Sequence, residues 1–246
     1  MIYDSAFDDN TIAASTEDAS YLAGNLQNIH LTQVWRSTDA SAQSIVIDAG
    51  SGSTITADSI VIAAHNLSAS AEVIFQMHTA NSWDTPDLSA TVTWREGIIV
   101  WYFTSTAKRY ARFYFHDPTN TDEYIEAGRL AMGAYLAIDP ASLSEFDITN
   151  ERTDQIDDSV SNQMYADEGV GYRVFKYKFP QTNYTMFAKM RTLYDTVGHH
   201  TPFFFMNFDS RFTEIEPAYV RLTSTLKEKV KDNMYFEYDL TMRETG

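Results

Sequence analysis

The stretch from Lys108 to Leu136, KRYARFYFHDPTNTDEYIEAGRLAMGAYL, decides the fold that the sequence predicts. Tyr110 to Phe115 alternates as a strand, turn-forming residues occupy His116 to Asn120, and Tyr124 to Arg129 alternates again. Two alternating runs separated by turn chemistry indicate two strands joined by a tight turn. We therefore interpret the stretch as a hairpin.

Two arginines lie inside this predicted hairpin. Arg112 and Arg129 have aromatic and aliphatic neighbours, where a guanidinium has to be paired or reach water. We predict that both hold the hairpin by pairing with acidic or carbonyl oxygens, together with Asp117 and Tyr124. Simple packing of one hairpin explains the alternation equally well.

The segment RYARFYFHDPTNTDEYIEAGRLAMG resembles the last strands of discoidin-like, galactose-binding-like β-sandwich domains, in the variant found in structural proteins of tailed bacteriophages. Four upstream segments stand in the order of that family: Asn25-Leu26, Val34 to Ser37, Ser44 to Gly50 and Ile60 to Leu67. The resemblance covers residues 1–138. It implies a mainly β fold that begins with a jelly-roll-type β-sandwich.

Composition excludes several classes of protein. The chain contains no cysteine, so disulfides, thiolate metal sites and cysteine nucleophiles are excluded. No apolar run approaches the roughly 20 residues that span a bilayer, and the first residues lack the pattern of a signal peptide. The formal charge of −16 disfavours nucleic acid as a partner, because phosphate binding needs clustered lysine and arginine.

The two halves of the chain differ in net charge. The formal net charge is −13 up to Asn150 and −3 from Glu151 onward. Residues 139–170 contain a polar run without periodicity and are predicted to be a linker or arm. Residues 171–246 predict a smaller β domain. In it, a strand is ended by Pro180, and a helix over about 183–197 is capped by Thr182 or Asn183.

The last strand has a regular apolar face. Met234, Phe236, Tyr238, Leu240 and Met242 alternate with polar or charged residues. At the border of a sheet this strand would offer a free edge, so we predict that the last four form an assembly surface.

Residues 168–246 resemble domains of phage tail-tip proteins, in particular the distal tail and minor tail families. The resemblance implies a non-enzymatic component of a virion tail, assembled in the bacterial cytoplasm, that forms a ring of sixfold symmetry at the tail tip or baseplate. Its partners would be the tail tube, tail hub and tape measure proteins. The order of the two domains is reversed relative to many distal tail proteins.

The alternative function is a carbohydrate-binding module for attachment to a host surface glycan. A sugar site needs an exposed aromatic ring with convergent polar side chains, for which the candidates are Trp83, Asn81, Arg95 and His65. A tryptophan folded back onto its own loop is the competing interpretation of Trp83.

Catalysis has weaker support in the sequence. His199-His200 with Asp195 lacks a third ligand at metal spacing, and the histidines are expected to satisfy a helix end. Glu126 should point away from Glu123 on a strand, so a glycosidase pair is disfavoured. We expect no enzyme and no cofactor. Oxygen-rich loops at Asp48, Asp117 and Asp122 would permit a structural calcium ion, but their spacing matches no calcium loop.

Overall fold

The computed structural model describes residues 1–138, 145–158, 164–206, 216–227, 229–231 and 235–245. These residues group into two compact units. The first contains Met1–Leu136 together with the described residues of 204–218, and the second contains the described residues of 137–203 and 219–245. The α-helix of the described part is too short to cross a membrane as an apolar span.

The first unit is a β-sandwich of two antiparallel sheets. Its strands are β1 (Thr11–Ala14), β2 (Trp35–Arg36), β3 (Gln43–Asp48), β4 (Ile55–His65), β5 (Glu72–His78), β6 (Leu88–Thr91), β7 (Ile99–Lys108), β8 (Tyr110–His116) and β9 (Glu126–Gly133). One sheet has the order β1-β3-β8-β5-β6 and the other has the order β2-β9-β4-β7. A 3-10 helix, Ala23–Gln27, lies between β1 and β2.

The core of the sandwich comes from the inward positions of alternating strands. Along β8, Ala111, Phe113 and Phe115 are buried, whereas Arg112 and Tyr114 lie on the opposite face. Phe113 meets Phe75 edge to face, with ring centroids 5.1 Å apart. Each fully buried side chain of this size contributes about 1.5 to 3 kcal/mol by leaving water.

The predicted hairpin is wrong, although both of its strands exist. β8 pairs with β3 and β5 in the five-stranded sheet, whereas β9 pairs with β2 and β4 in the other. Residues 117–125 cross between the sheets, and Tyr124 lies in this connection rather than in a strand. The same turn chemistry suits both kinds of connection, and both sides of β9 are buried.

The second unit is a smaller β domain covered by one helix. Its elements are β10 (Glu145–Arg152), β11 (Gln155–Asp158), β12 (Met164–Asp167), β13 (Gly171–Thr182), α1 (Tyr184–Val197), β14 (Phe203–Phe205), β15 (Ala218–Leu222), β16 (Lys229–Lys231) and β17 (Tyr235–Glu244). Of these residues, Phe204, Phe205 and Ala218 are grouped with the first unit. The order β10-β13-β17-β15 forms an antiparallel sheet, β16 also pairs with β17, and β11 pairs with β12. The predicted fold class is therefore confirmed.

The helix agrees with its prediction in detail. The side chain of Asn183 accepts a hydrogen bond of 2.9 Å from the backbone of Met186, and Gly198 ends the helix with a positive φ of 51°.

The predicted stop at Pro180 is wrong, because β13 continues to Thr182. Its register with β17 shifts between Phe179 and Thr182, and such an irregularity accommodates a proline.

The described residues of 139–170 include three strands, β10, β11 and β12, whereas a linker or arm was predicted there. β10 pairs with β13 along its whole length, and the ring of Phe146 lies 4.7 Å from that of Tyr177. Phe146 and Ile148 are the only apolar residues of β10, so the sequence shows too little alternation to reveal the strand. The predicted residues 139–144 and 159–163 lie outside the described part of the chain.

The last strand does not lie at the border of its sheet, and most of the residues predicted as an assembly surface are buried. β17 lies inside the sheet, with β13 on one side and β15 and β16 on the other. Its apolar residues Tyr238, Leu240 and Met242 are buried, and the ring of Phe236 stacks 4.2 Å from that of Phe187 on α1. The helix therefore covers the face that was predicted to drive assembly. Met234 lies outside the described residues.

Candidate functional site

The four candidate sugar-binding residues lie in two separate places. Trp83 and Asn81 belong to the connection between β5 and β6, whereas Arg95 belongs to the connection between β6 and β7. Connections before and after one strand leave it from opposite ends. His65, at the end of β4, has the backbone of Arg95 beside its side chain. The structure thus keeps the candidates as two pairs and does not form one site from all four.

Trp83 is held in place by two contacts. Its indole N–H donates a hydrogen bond of 3.1 Å to the side-chain oxygen of Asn81. Its ring lies over the guanidinium of Arg112, with 4.7 Å between the ring centroid and Cζ. The side chain of Trp83 is half-buried and that of Asn81 is exposed. Trp83 therefore does contact its own loop, but it also caps a charged side chain of the sheet.

Arg112 lies on the outer face of the five-stranded sheet. Its Nε donates a hydrogen bond of 2.8 Å to the side-chain oxygen of Gln76, and Nη2 donates to the same oxygen. The amide nitrogen of Gln76 donates in turn to the hydroxyl of Ser89 at 3.2 Å. Burial lowers the pKa of Arg112, an effect that Tyr114 partly offsets, and the guanidinium stays charged at ordinary pH.

These side chains form one patch, which we call the Trp83 cluster: Gln76, Asn81, Trp83, Ser89 and Arg112. β5, β6, β8 and the connection after β5 contribute to it. The alternation along β8 places Arg112 outward, but no local signal shows that Gln76 lies beside it. The pairing of Gln76 with Arg112 depends on the β5–β8 register, which joins positions 36 residues apart.

The other pair is less suited to a ligand. The backbone N–H of Leu67 donates to Nδ1 of His65 at 3.2 Å. The pKa of His65 is lowered, first because burial destabilises the charged imidazolium, while the backbone of Arg95 partly offsets this effect. His65 is thus half-buried and accepts a hydrogen bond from its own loop. The side chain of Arg95 is half-buried and forms no hydrogen bond or ion pair within the described part of the chain.

Asp117 fixes the loops at that end of the sandwich. Its buried carboxylate accepts hydrogen bonds from the backbone and hydroxyl of Ser68, at 2.8 and 2.6 Å, and from the side chain of Asn120 at 3.2 Å. These bonds join the β4–β5 connection to the β8–β9 connection. Asp117 therefore fastens a connection between the two sheets, whereas it was predicted to hold a hairpin.

Tyr124 belongs to a closed cluster with Arg36. The guanidinium of Arg36 lies 4.1 Å from the ring centroids of both Tyr21 and Tyr124 and pairs with Glu126 at 2.6 Å. Its charge is balanced and both of its faces are covered, so this cluster offers little to a ligand.

Arg129 is buried in a different environment from Arg112. It pairs with Asp8 and donates to the backbone carbonyls of Leu26 and Asn28, both at 3.3 Å. Burial raises the pKa of Asp8, although Arg129 opposes that shift. Arg129 therefore joins the amino-terminal segment to β9, and it has no part in a hairpin with Arg112.

Asp48 and His199, two of the residues considered for metal or catalysis, have protein partners. Both carboxylate oxygens of Asp48 accept hydrogen bonds from Arg109, at 2.8 and 3.0 Å, and Arg109 is the first cause of the lowered pKa of Asp48. His199 contacts the Tyr194 hydroxyl and the carbonyl of Leu222 at the end of α1. Within the described ranges, no three His, Asp or Glu side chains are grouped to hold a metal ion.

Comparison with known proteins gives partial likenesses to solved structures. No family model and no curated protein matches the sequence. A family 32 carbohydrate-binding module from C. perfringens NanJ, solved with galactose, shares 16% identity over 52% of this chain and 96% of its own, with a TM-score of 0.41. The family 32 module of AlyQ, solved with 4,5-unsaturated mannuronic acid, shares 22% identity over 54% of this chain and 97% of its own, with a TM-score of 0.40.

A third structure is the lectin domain of lectinolysin, solved with Lewis B antigen. It shares 10% identity over 52% of this chain and 94% of its own, with a TM-score of 0.41. Each likeness thus covers about half of this chain and nearly all of the other protein. The comparisons describe a partial likeness of fold.

Proposed function

We propose that this chain is a non-catalytic binding protein whose first unit is a carbohydrate-binding module, used for attachment to a surface glycan. The observation that carries the proposal is the Trp83 cluster. There, a half-buried tryptophan ring lies against Arg112 and beside the side chain of Asn81. Sugars present an apolar face of C–H groups and a rim of hydroxyls, so they suit an aromatic ring with polar neighbours.

The hydrogen-bonding groups of the Trp83 cluster are partly unused. The side-chain oxygen of Asn81 accepts from Trp83, but its amide nitrogen donates to no described residue. Arg112 directs two of its five N–H donors at Gln76. The hydroxyl of Ser89 accepts from Gln76 and can still donate. Donors and acceptors therefore remain for sugar hydroxyls next to the ring.

A glycan panel tests this proposal. The full chain is applied to immobilised neutral and acidic glycans, and each signal is confirmed by titration with the free sugar. We expect saturable binding to a defined group of glycans. The absence of binding to every glycan on the panel would contradict the proposed function.

A second candidate role is assembly into a bacteriophage tail, as the resemblance of residues 168–246 implies. The observation that favours it is an exposed apolar patch on the second unit. Tyr184 at the start of α1 is 69% exposed and Val230 on β16 is 60% exposed. Both residues are next to Phe236. The ring centroid of Tyr184 lies 6.0 Å from that of Phe236, and Val230 on β16 is paired with Phe236 on β17. Exposed apolar groups that adjoin one another favour a protein contact.

In this role the chain forms a ring with copies of itself, with sixfold symmetry expected from the resemblance alone. Its other partners are the tail tube, the tail hub and the tape measure protein, and its location is the virion tail. The sandwich then supplies the glycan contact and the second unit supplies the assembly contact. The two roles are compatible because they use different units of the chain.

A further inference from the structure

Arg112 differs from the other paired arginines of the first unit in the charge of its partner. Three arginines each pair with a carboxylate, namely Arg36 with Glu126, Arg109 with Asp48 and Arg129 with Asp8. Arg112 instead donates twice to the neutral amide oxygen of Gln76. Among the described residues it forms no ion pair with a carboxylate. In a chain with 34 acidic and 18 basic residues, its charge is left without a carboxylate partner.

The guanidinium of Arg112 is also held in one orientation. The side-chain oxygen of Gln76 accepts hydrogen bonds from Nε and from one terminal nitrogen of the guanidinium. The ring centroid of Trp83 lies 4.7 Å from Cζ, and that of Tyr114 lies 5.4 Å from Cζ. The amide of Gln76 is itself held by Ser89. A guanidinium that is fixed before a ligand arrives loses less conformational freedom on binding.

The remaining donors match one chemical group in particular. With the Nε edge directed at Gln76, three N–H groups remain on the two terminal nitrogens. Two N–H groups on neighbouring nitrogens are parallel and fit the two oxygens of a carboxylate. A neutral hydroxyl would use only one of them and would leave the charge unbalanced.

We propose that Arg112 binds the carboxylate of an acidic sugar, of the hexuronic acid class, while the sugar ring rests against Trp83. This inference rests on the proposed function and narrows it to a substrate class. The preference opposes the overall charge of −16, which repels acidic polymers in general. Selectivity for an acidic sugar would therefore come from the two parallel N–H donors on the terminal nitrogens of Arg112.

The test compares sugars whose carboxylates are either free or methyl-esterified. Oligogalacturonate and oligomannuronate are each titrated into the full wild-type chain, alongside their fully methyl-esterified forms. We expect the acidic form of at least one sugar to bind about tenfold more tightly, as charge-assisted hydrogen bonds would give, and the preference to shrink at high salt. In Arg112→Gln the preference should disappear. In Arg95→Gln, the matched control at the other end of β6, it should persist.

The outcomes separate this inference from the proposed function. Equal affinity for acidic and esterified forms, or a preference that survives in Arg112→Gln, overturns the role of Arg112 and leaves sugar binding in place. Binding to other glycans but to neither uronate also overturns the role of Arg112 and leaves sugar binding in place. No binding to any glycan overturns both. Melting curves show whether Arg112→Gln is folded, and Arg112→Lys, which keeps the charge but not the fork, is expected to lose most of the preference in a folded protein.

Discussion

Arg129 on β9 forms an ion pair with Asp8, a residue 121 positions earlier in the chain. The side chain of Arg129 is 6% exposed and that of Asp8 is 33% exposed, so the guanidinium is buried and the carboxylate reaches water. Two backbone carbonyls share the same guanidinium. The pair therefore fastens the amino-terminal segment to the four-stranded sheet.

Replacement of Arg129 by alanine should destabilise the first unit by about 1 to 3 kcal/mol, because it leaves the buried carbonyl of Leu26 and the part-buried carbonyl of Asn28 without their donor. Urea unfolding measures this loss. The control is Arg109→Ala, which removes an ion pair that is 34% exposed at the arginine and 33% at Asp48, and should cost about 1 kcal/mol or less. Equal losses in the two variants would contradict a special role for Arg129.

The lowered pKa of His65 predicts a dependence of stability on pH. In the unfolded chain the imidazole takes up a proton near its ordinary pKa of 6.5, whereas the folded state resists protonation until a lower pH. The unfolded state thus binds more protons in this window, so the free energy of unfolding should fall as pH decreases below about 6.5.

Replacement of His65 by asparagine keeps an acceptor for the backbone of Leu67 and removes the titration. Urea unfolding between pH 8 and pH 5 should then show a flatter dependence than in the wild type. An identical slope in wild type and His65→Asn would show that His65 does not carry the effect.

A division into two domains within residues 138–170 remains a prediction, and proteolysis tests it. Arg152 is the only lysine or arginine in that window, and its side chain is 50% exposed at the end of β10. Trypsin should cut there early and leave two resistant fragments. Arg152→Gln should abolish that cut. A single unfolding transition without early cleavage in the window would count against the division.

The exposed patch on the second unit predicts self-association of the full chain. Sedimentation velocity should show an average mass that rises with concentration. Tyr184→Ser combined with Val230→Ser should reduce the rise, since both residues are exposed beside Phe236. Val170→Ser is the matched control, because Val170 is 76% exposed elsewhere in the second unit. A monomer at every concentration would contradict assembly of the chain by itself.

The features that could be predicted from the sequence are the local ones. The capping of α1 by Asn183 and Gly198 depends on residues within one turn, and the outward position of Arg112 depends on its two neighbours. Alternation also identified the buried face of β17. These signals require no knowledge of which strands pair.

Most of the errors concern strand partners. An alternating pattern shows which face of β17 is apolar, but not that three other strands flank it. The turn residues after His116 suit a hairpin, although the chain there crosses to the other sheet. Trp83 and Asn81 were predicted as candidates, but their grouping with Arg112 and Gln76 was missed, because Gln76 and Arg112 meet only through the register of β5 with β8.

The most direct test of the Trp83 cluster as the sugar site is a calorimetric titration of the strongest glycan from the panel into three proteins. These are the wild type, Trp83→Ala and Arg95→Ala, each shown by its melting curve to be folded. We predict that Trp83→Ala weakens binding about tenfold or more, because it removes the stacking surface, and that Arg95→Ala binds like the wild type. Unchanged affinity in Trp83→Ala, with a loss in Arg95→Ala, would place the site at the other end of the sandwich and contradict the account.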